Sequence, residues 1–221
     1  MSRPEMKLHW SPRSPFVRKV MIALHETGLP DRVELVRNPV AIDRPNAAVM
    51  ADNPLGKIPT LVLADGTALY DSRVICEYLD GFHDGPNLFP PAGPARIAAL
   101  RRQALADGLL DVLLPWRYWH ARQGLDPLDD GDPYQRACAL KAVAALDRLE
   151  LEATDAVPDT LDIGDIAIGC LLSYLDFRWP VLSWREGRDR LAAWHRAFEA
   201  RPSVLATRIV DDAAPAEEAS R

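Results

Sequence analysis

The chain is predicted to fold as an α/β domain followed by an all-helical domain, and three observations carry that reading. Strand-like and helix-like segments alternate through the first ~80 residues. The stretch from Gly81 to Gly93 then brings three prolines and three glycines with little periodicity, the mark of a linker. Beyond it the strand signals vanish and apolar residues recur only at helical spacing.

In order, Lys7 to Trp10 reads as a short strand. Ser14-Pro15 opens a helix whose apolar face is Val17, Val20, Met21 and Leu24, with Gly28 as its stop. Val33 to Val36 is a second strand, and a helical crossover between strands this short requires them to lie parallel. Asn38 to Gly56 is irregular. Thr60–Leu63 and Ala68–Tyr70 flank Asp65-Gly66, a hairpin signal that makes this pair antiparallel. A helix from Ser72 to about Phe82 buries Val74, Ile75, Tyr78 and Leu79. The order βαβ then ββα is that of a thioredoxin-like fold.

In the second half, Leu105, Leu109, Val112, Trp116 and Trp119 form one stripe of a long helix, bent at Pro115, which removes the bond to the Asp111 carbonyl. Ala139, Ala142, Leu146 and Leu149 mark another helix, Leu191, Trp194 and Phe198 a last one. Between them, Ile163 to Leu175 is apolar nearly all round, as a central bundle helix is. These signals divide the chain into residues 5–83, a linker at 84–94, a helical domain over 95–207, and a frayed tail at 208–221 rich in Ala, Asp and Glu.

With 221 residues, 48% hydrophobic and 26% charged, the composition is that of a globular protein. The net charge of −6 and the absence of any basic run argue against nucleic acid as a partner. No apolar stretch is long enough for a membrane span or secretory signal, so no membrane association and a cytoplasmic location are expected. Cys76, Cys138 and Cys170 are far apart, form no metal-type cluster with histidines, and read as small buried hydrophobes in a reducing compartment.

Three places can carry chemistry. Ser14 before Pro15 is a good N-cap, worth ~1 kcal/mol. The same geometry offers unpaired N–H groups, a positive dipole end and a hydroxyl to a thiolate. Free thiols titrate near ~8.5, and lowering that by ~2 units takes about 2.7 kcal/mol. In Asn53-Pro54-Leu55-Gly56-Lys57-Ile58-Pro59-Thr60, the prolines and glycine mark a turn entering a strand. A cis Ile58-Pro59 bond would turn the Ile58 backbone outward toward a peptide-like ligand. Asp71-Ser72 either caps the next helix or receives a zwitterionic amino-acid end, the carboxylate on the helix start and Ser72, the ammonium on Asp71.

The series Ser14-Pro15-Phe16-Val17-Arg18-Lys19-Val20, Asn53 to Pro59, and Asp71-Ser72-Arg73-Val74-Ile75-Cys76-Glu77-Tyr78-Leu79 resembles the glutathione S-transferase superfamily, especially its bacterial branches. Ala104-Leu105-Ala106-Asp107-Gly108-Leu109-Leu110-Asp111 and Asp162-Ile163-Gly164-Asp165-Ile166-Ala167 continue the resemblance in order and spacing, from about residue 7 to 205. It implies a glutathione transferase acting on a small hydrophobic electrophile, with glutathione as co-substrate, no metal, and a homodimeric assembly. Glutathione would lie with its γ-glutamyl end at Asp71 and Ser72, its backbone on Ile58 ahead of a cis-Pro59, its glycyl carboxylate near Lys57 and its sulfur at Ser14.

Ser11 is the second candidate for the activating serine. The electrophile pocket is expected between the domains, from Trp10, Phe16, Leu109, Trp116 and Trp119, although core packing suits Trp116 and Trp119 better. Asp107 and Asp111 read as a solvated or interdomain face. Asp162 and Asp165 read as a reciprocal helix cap with no catalytic role. Two departures stand out: Asp71 replaces the Glu or Gln of many members, and Ser14 replaces the cysteine of redox-type relatives. The same site would also suit glutathione-dependent isomerisation, dehalogenation or ether cleavage, although the double-serine-cysteine signature of maleylacetoacetate isomerases is missing. A non-catalytic glutathione-binding or scaffolding protein is the reading from another class.

Overall fold

A computed structural model describes residues 5–154 and 156–212. The first domain holds β1 (Met6–Trp10), α1 (Pro15–Glu26), β2 (Val33–Arg37), α2 (Ala47–Met50), β3 (Thr60–Val62), β4 (Ala68–Leu69) and α3 (Ser72–Asp80). Their four-stranded sheet has the order β2-β1-β3-β4, with β1 parallel to β2 and antiparallel to β3, and β3 antiparallel to β4. The parallel crossover and the Asp65-Gly66 hairpin are thus both present, with Gly66 at φ 88° where a β-carbon would be strained.

The stretch expected to be irregular contains one short helix, α2. Asn46 caps it by accepting from the Ala48 and Val49 N–H groups at 3.0 and 3.2 Å, and buried Val49 anchors it. A single apolar residue in a four-residue helix leaves no periodicity to detect.

The second domain is helical: α4 (Pro94–Gln123), α5 (Pro133–Glu152), α6 (Ile163–Arg178), α7 (Asp189–Glu199) and α8 (Pro202–Ala206). Helix α4 continues through Pro115, and α6 is buried from Ile163 to Tyr174 and on to Leu175, as its all-round apolarity predicts. The reciprocal cap at Asp162 and Asp165 is formed: Asp162 accepts from the Gly164 and Asp165 N–H groups, while Asp165 accepts from the Asp162 N–H. No helix among the described residues is long and apolar enough to cross a membrane.

One apolar core runs through both halves, from Leu8, Val20 and Leu61 in the sheet domain to Leu110, Leu171 and Phe198 in the bundle. The end of the chain corrects the sequence reading in part. Residues 208–212, expected to fray, are held by ion pairs from Asp212 to Arg13 (3.1 Å) and Arg37 (2.6 Å), and from Asp211 to Arg178 (2.9 Å). Composition flagged the segment as polar but could not show the arginines waiting for it. Residues 213–221 lie outside the described residues.

Candidate functional site

The sheet register decides where the candidate residues meet. His9 stands opposite Thr60, and Leu61 opposite Leu69. Strand β1 therefore ends, β3 begins and β4 ends at the same end of the sheet. The loops Trp10–Ser14, Lys57–Pro59 and Tyr70–Ser72 emerge there side by side, and both α1 and α3 start from that end. Three stretches dispersed over some 60 residues of sequence thus converge on one ledge, at which two helix N-termini present unpaired N–H groups.

On the first loop, Ser14 is extended (φ −86°, ψ 121°) and caps α1 by accepting from the Val17 N–H at 3.3 Å. The hydroxyl is half-buried, and accepting leaves its own hydrogen available to donate. Ser11 is buried; its oxygen accepts from the Arg13 N–H at 3.5 Å and its carbonyl from the Ser14 N–H at 3.2 Å, which makes it a brace of the loop.

On the second, the Ile58-Pro59 bond is cis. The Ile58 side chain is buried with Val17 and Val49, while its backbone N–H and C=O have no hydrogen-bond partner among the described residues. The loop is organised from within by buried Asn53, which donates to the Lys57 carbonyl (3.2 Å) and the Thr60 hydroxyl (3.0 Å) and accepts from the Leu55 N–H (3.0 Å). Beneath it, Asp52 accepts from buried His9 (2.7 Å) and from Lys7 (3.0 Å), hydrogen bonds that hold its carboxyl below the ordinary value. Lys57 itself is exposed at the loop rim.

On the third, the Tyr70-Asp71 bond is cis as well, and Asp71 caps α3 by accepting from the Arg73 N–H at 2.9 Å. The Arg73 guanidinium clasps the same carboxylate at 2.9 Å. Burial opposes ionisation of Asp71, but the hydrogen bonds and charge of Arg73 outweigh it and the carboxyl stays below its usual range. Ser72 is buried at the first turn of α3.

Helix α4 forms the facing wall. Lys19 of α1 and Asp107 of α4 make a fully buried pair, with Nζ at 2.8 and 2.7 Å from the two carboxylate oxygens, so Asp107 belongs to the interdomain face. One turn on, Asp111 lies in the field of Lys57 and Arg73, which draw its pKa down. Burial, Asp107 and Asp71 prevail and raise it. The wall thus adds a carboxylate opposite Asp71. Deeper inside, the Cys76 thiol is pushed up to about 12 by burial, which leaves it inert as a nucleophile.

The apolar candidates divide. Trp10 and Phe16 are half-buried at the ledge, and Trp119 is 38% exposed with Tyr134 at 5.5 Å. Two others are corrected. Trp116 has no exposed surface: it packs on Trp179 at 4.3 Å and donates to Gln135 at 3.2 Å. Leu109 is likewise closed in the core. Both sit on the stripe that a helix turns toward its neighbours, and a shared stripe does not tell core from lining.

Over residues 13–81 the chain matches the glutathione S-transferase N-terminal domain family, and over 116–197 the glutathione S-transferase C-terminal domain family. An uncharacterized GST-like protein of Escherichia coli K12, YibF, is 35% identical over 188 residues, spanning 84% of this chain and 90% of that protein. The chain belongs to the glutathione S-transferase family. A crystal structure of a glutathione transferase family member from Pseudomonas fluorescens Pf-5, with bound glutathione, is 42% identical and superposes with a TM-score of 0.81 over 93% of this chain and 99% of that one. A glutathione S-transferase of Methylobacillus flagellatus, also with glutathione bound, is 35% identical with a TM-score of 0.79 over 93% and 100%. The thioredoxin-like sheet domain and the helical domain of this transferase-family chain are the two halves those relatives share.

Sequence reading did not single out Asn53, Arg73 or the Lys19–Asp107 pair as parts of the ledge. A signal for the last was present: Lys19 adjoins the apolar positions Val17, Val20 and Met21 on α1. A lysine so placed, in a chain with an isolated aspartate on a facing apolar helix, calls for a buried partner.

Proposed function

We propose that this chain is a glutathione transferase in which Ser14 and the N-terminus of α1 hold the glutathione sulfur as thiolate for attack on a small hydrophobic electrophile. The convergence of Ser14, the unpartnered Ile58 backbone and Asp71-Ser72 on one ledge carries the reading, and relatives that hold glutathione support it. The tripeptide would run across the ledge. Its γ-glutamyl carboxylate takes the α3 N-terminus and Ser72, and its ammonium takes Asp71. Its cysteinyl backbone pairs with Ile58, and its glycyl carboxylate approaches Lys57. Asp71 is kept ionised by Arg73, as an ammonium site requires. Ser14 is preferred to Ser11 because Ser14 is half-exposed while Ser11 is buried as a loop brace.

In the reaction, the thiol proton leaves to solvent, the sulfur lone pair forms the new C–S bond, and the leaving group departs from the electrophile with its bonding electrons. Trp10, Phe16 and Trp119 offer the apolar surface for that electrophile. Stabilisation of the thiolate plus proximity supplies the acceleration. The protein would act in the cytoplasm as a homodimer. Its three cysteines are unpaired and buried, and exposed Val74, Phe82 and Ile97 on α3, just after it and on α4 give an apolar face for a second copy.

The deciding experiment is Ser14→Ala, assayed by conjugation of an aryl halide. Loss of one charge-assisted hydrogen bond is expected to lower kcat at neutral pH about 10- to 100-fold and move the pH profile upward. Glutathione affinity should change little. An unaltered kcat would remove Ser14 from the mechanism.

A further inference from the structure

A few contacts fix how α1, α4 and α6 stand against one another. Gly164 at the start of α6 lies against Ala99 and Arg102 of α4, and Trp179 just past its end packs on Trp116 at 4.3 Å. The two helices therefore run side by side in the same direction. Tyr174, five residues before Trp179, is level with Asp111, five before Trp116. Helix α1 runs the other way. Glu26 at its end is tied by Arg201 to the Pro158 and Asp159 carbonyls ahead of α6, while Lys19 holds Asp107. At about 1.5 Å per residue, Ser14 stands about 7.5 Å beyond Lys19, which brings it to the level of Asp111 and Tyr174.

Tyr174 also lies on the side of α6 that looks at α1. Cys170, one turn earlier, is pushed up to about 12 by burial while the charges of Arg18 and Lys19 of α1 work against it. The Tyr174 ring is 4% exposed, yet its hydroxyl has no hydrogen-bond partner among the described residues and is not cut off from solvent. Burial raises its pKa against the pull of Arg117 and Arg178, so the hydroxyl is a proton donor at neutral pH. Those two guanidiniums differ. Arg178 is engaged by Asp211 at 2.9 Å, and the next residue, Asp212, engages Arg13 on the loop that carries Ser14. Arg117 is exposed, with neither a hydrogen bond nor an ion pair among the described residues. His120 adds little charge beside it, because burial and the Arg117 charge hold its pKa below the ordinary value.

We infer, on the transferase reading above, that the electrophile carries a carboxylate, received between the Arg117 guanidinium and the Tyr174 hydroxyl while its reactive carbon meets the sulfur at Ser14. A guanidinium fork and a hydroxyl together supply the donors that a planar carboxylate accepts. A buried hydroxyl that the protein leaves unpaired gains most from such an acceptor. A neutral electrophile leaves both donors unmatched. With an aryl chloride, the sulfur forms the C–S bond and chloride leaves with the C–Cl electron pair. The thiol proton goes to solvent, and the carboxylate is unchanged.

The test compares 4-chloro-3-nitrobenzoate with the uncharged 4-chloro-3-nitrobenzamide, each conjugated to glutathione by the full chain and each rate divided by the uncatalysed one. The acid is expected to exceed the amide at least about tenfold in corrected kcat/KM. Arg117→Gln should lower that ratio about tenfold and Tyr174→Phe about three- to tenfold. Melting temperatures should hold in both variants, since neither group has a protein partner to lose. Calorimetry with the finished conjugates, S-(4-carboxy-2-nitrophenyl)glutathione and its carbamoyl counterpart, needs no turnover and should show the same preference. Conjugation with no preference for the acid, or a preference untouched in both variants, would overturn the carboxylate site and leave the transferase reading standing. Tighter binding of the carboxy conjugate without turnover of either chloride would do the reverse. Failure of both conjugates to bind would overturn the two together.

Discussion

A buried lysine and aspartate with no other ion-pair partner must find each other or unfold the site. Lys19 and Asp107 do so across the two domains, which places the cost and the benefit of the pair at the ledge itself. Removing one partner leaves an uncompensated buried charge: Lys19→Met or Asp107→Leu alone is expected to cost about 3–5 kcal/mol. The double substitution should recover most of it, a difference that denaturant titration of the three variants measures. Asp165 gives a pH-dependent counterpart. Burial, helped by the Asp162 charge, raises its pKa from 3.8 to about 6 despite the cap hydrogen bond. Between pH 4 and 6 the unfolded chain has lost this proton while the folded one keeps it, so stability falls as pH rises through that window. The change amounts to about 3 kcal/mol at most. Asp165→Asn should remove it, seen as a wild-type-minus-variant difference in melting temperature that grows more negative from pH 4 to 6 and is level above.

Elements are placed here as much by missing atoms as by present ones. Helix α6 can lie against α4 because Gly164 has no side chain: a β-carbon there would sit 2.7 Å from the Ala99 carbonyl oxygen and 2.9 Å from Arg102. At Gly169 it would stand 2.1 Å from the buried ring of Phe198. Backbone cannot step aside as a long side chain can, so Gly164→Ala should push α4 and α6 apart and cost about 1–3 kcal/mol. A lowered denaturation midpoint with an unchanged slope would report it. At this scale the sequence was legible wherever a cap or a period fixed the element. Ser14, Asp71 and Asp162 cap the helices that their spacing announced. It failed where an element is held by one contact, as in α2, or by partners distant in sequence, as in residues 208–212.

Taken whole, the molecule shares its core between domains that sequence would draw as separate. Leu8 and Leu61 of the sheet belong to the same apolar cluster as Leu110, Leu171 and Phe198 of the bundle, and α1 touches both α3 and α6. That shared cluster couples the two halves, so unfolding should be one cooperative event. Calorimetry is expected to show a single transition for the chain, and two resolved transitions would count against a shared core.

The amino-acid sequence by itself determined the succession of elements, the parallel crossover, the hairpin, the helix caps and the candidate residues around Ser14, Ile58 and Asp71. Each of these rests on neighbours within a few positions, where periodicity and backbone preference act directly. Only the tertiary structure decided which of those residues share a surface. It closed Trp116 and Leu109 into the core, assigned Ser11 to bracing its loop, clasped Asp71 with Arg73 and paired Lys19 with Asp107. Those outcomes depend on sheet register and on how closely helices approach, and both are set by contacts between parts of the chain that no local pattern relates.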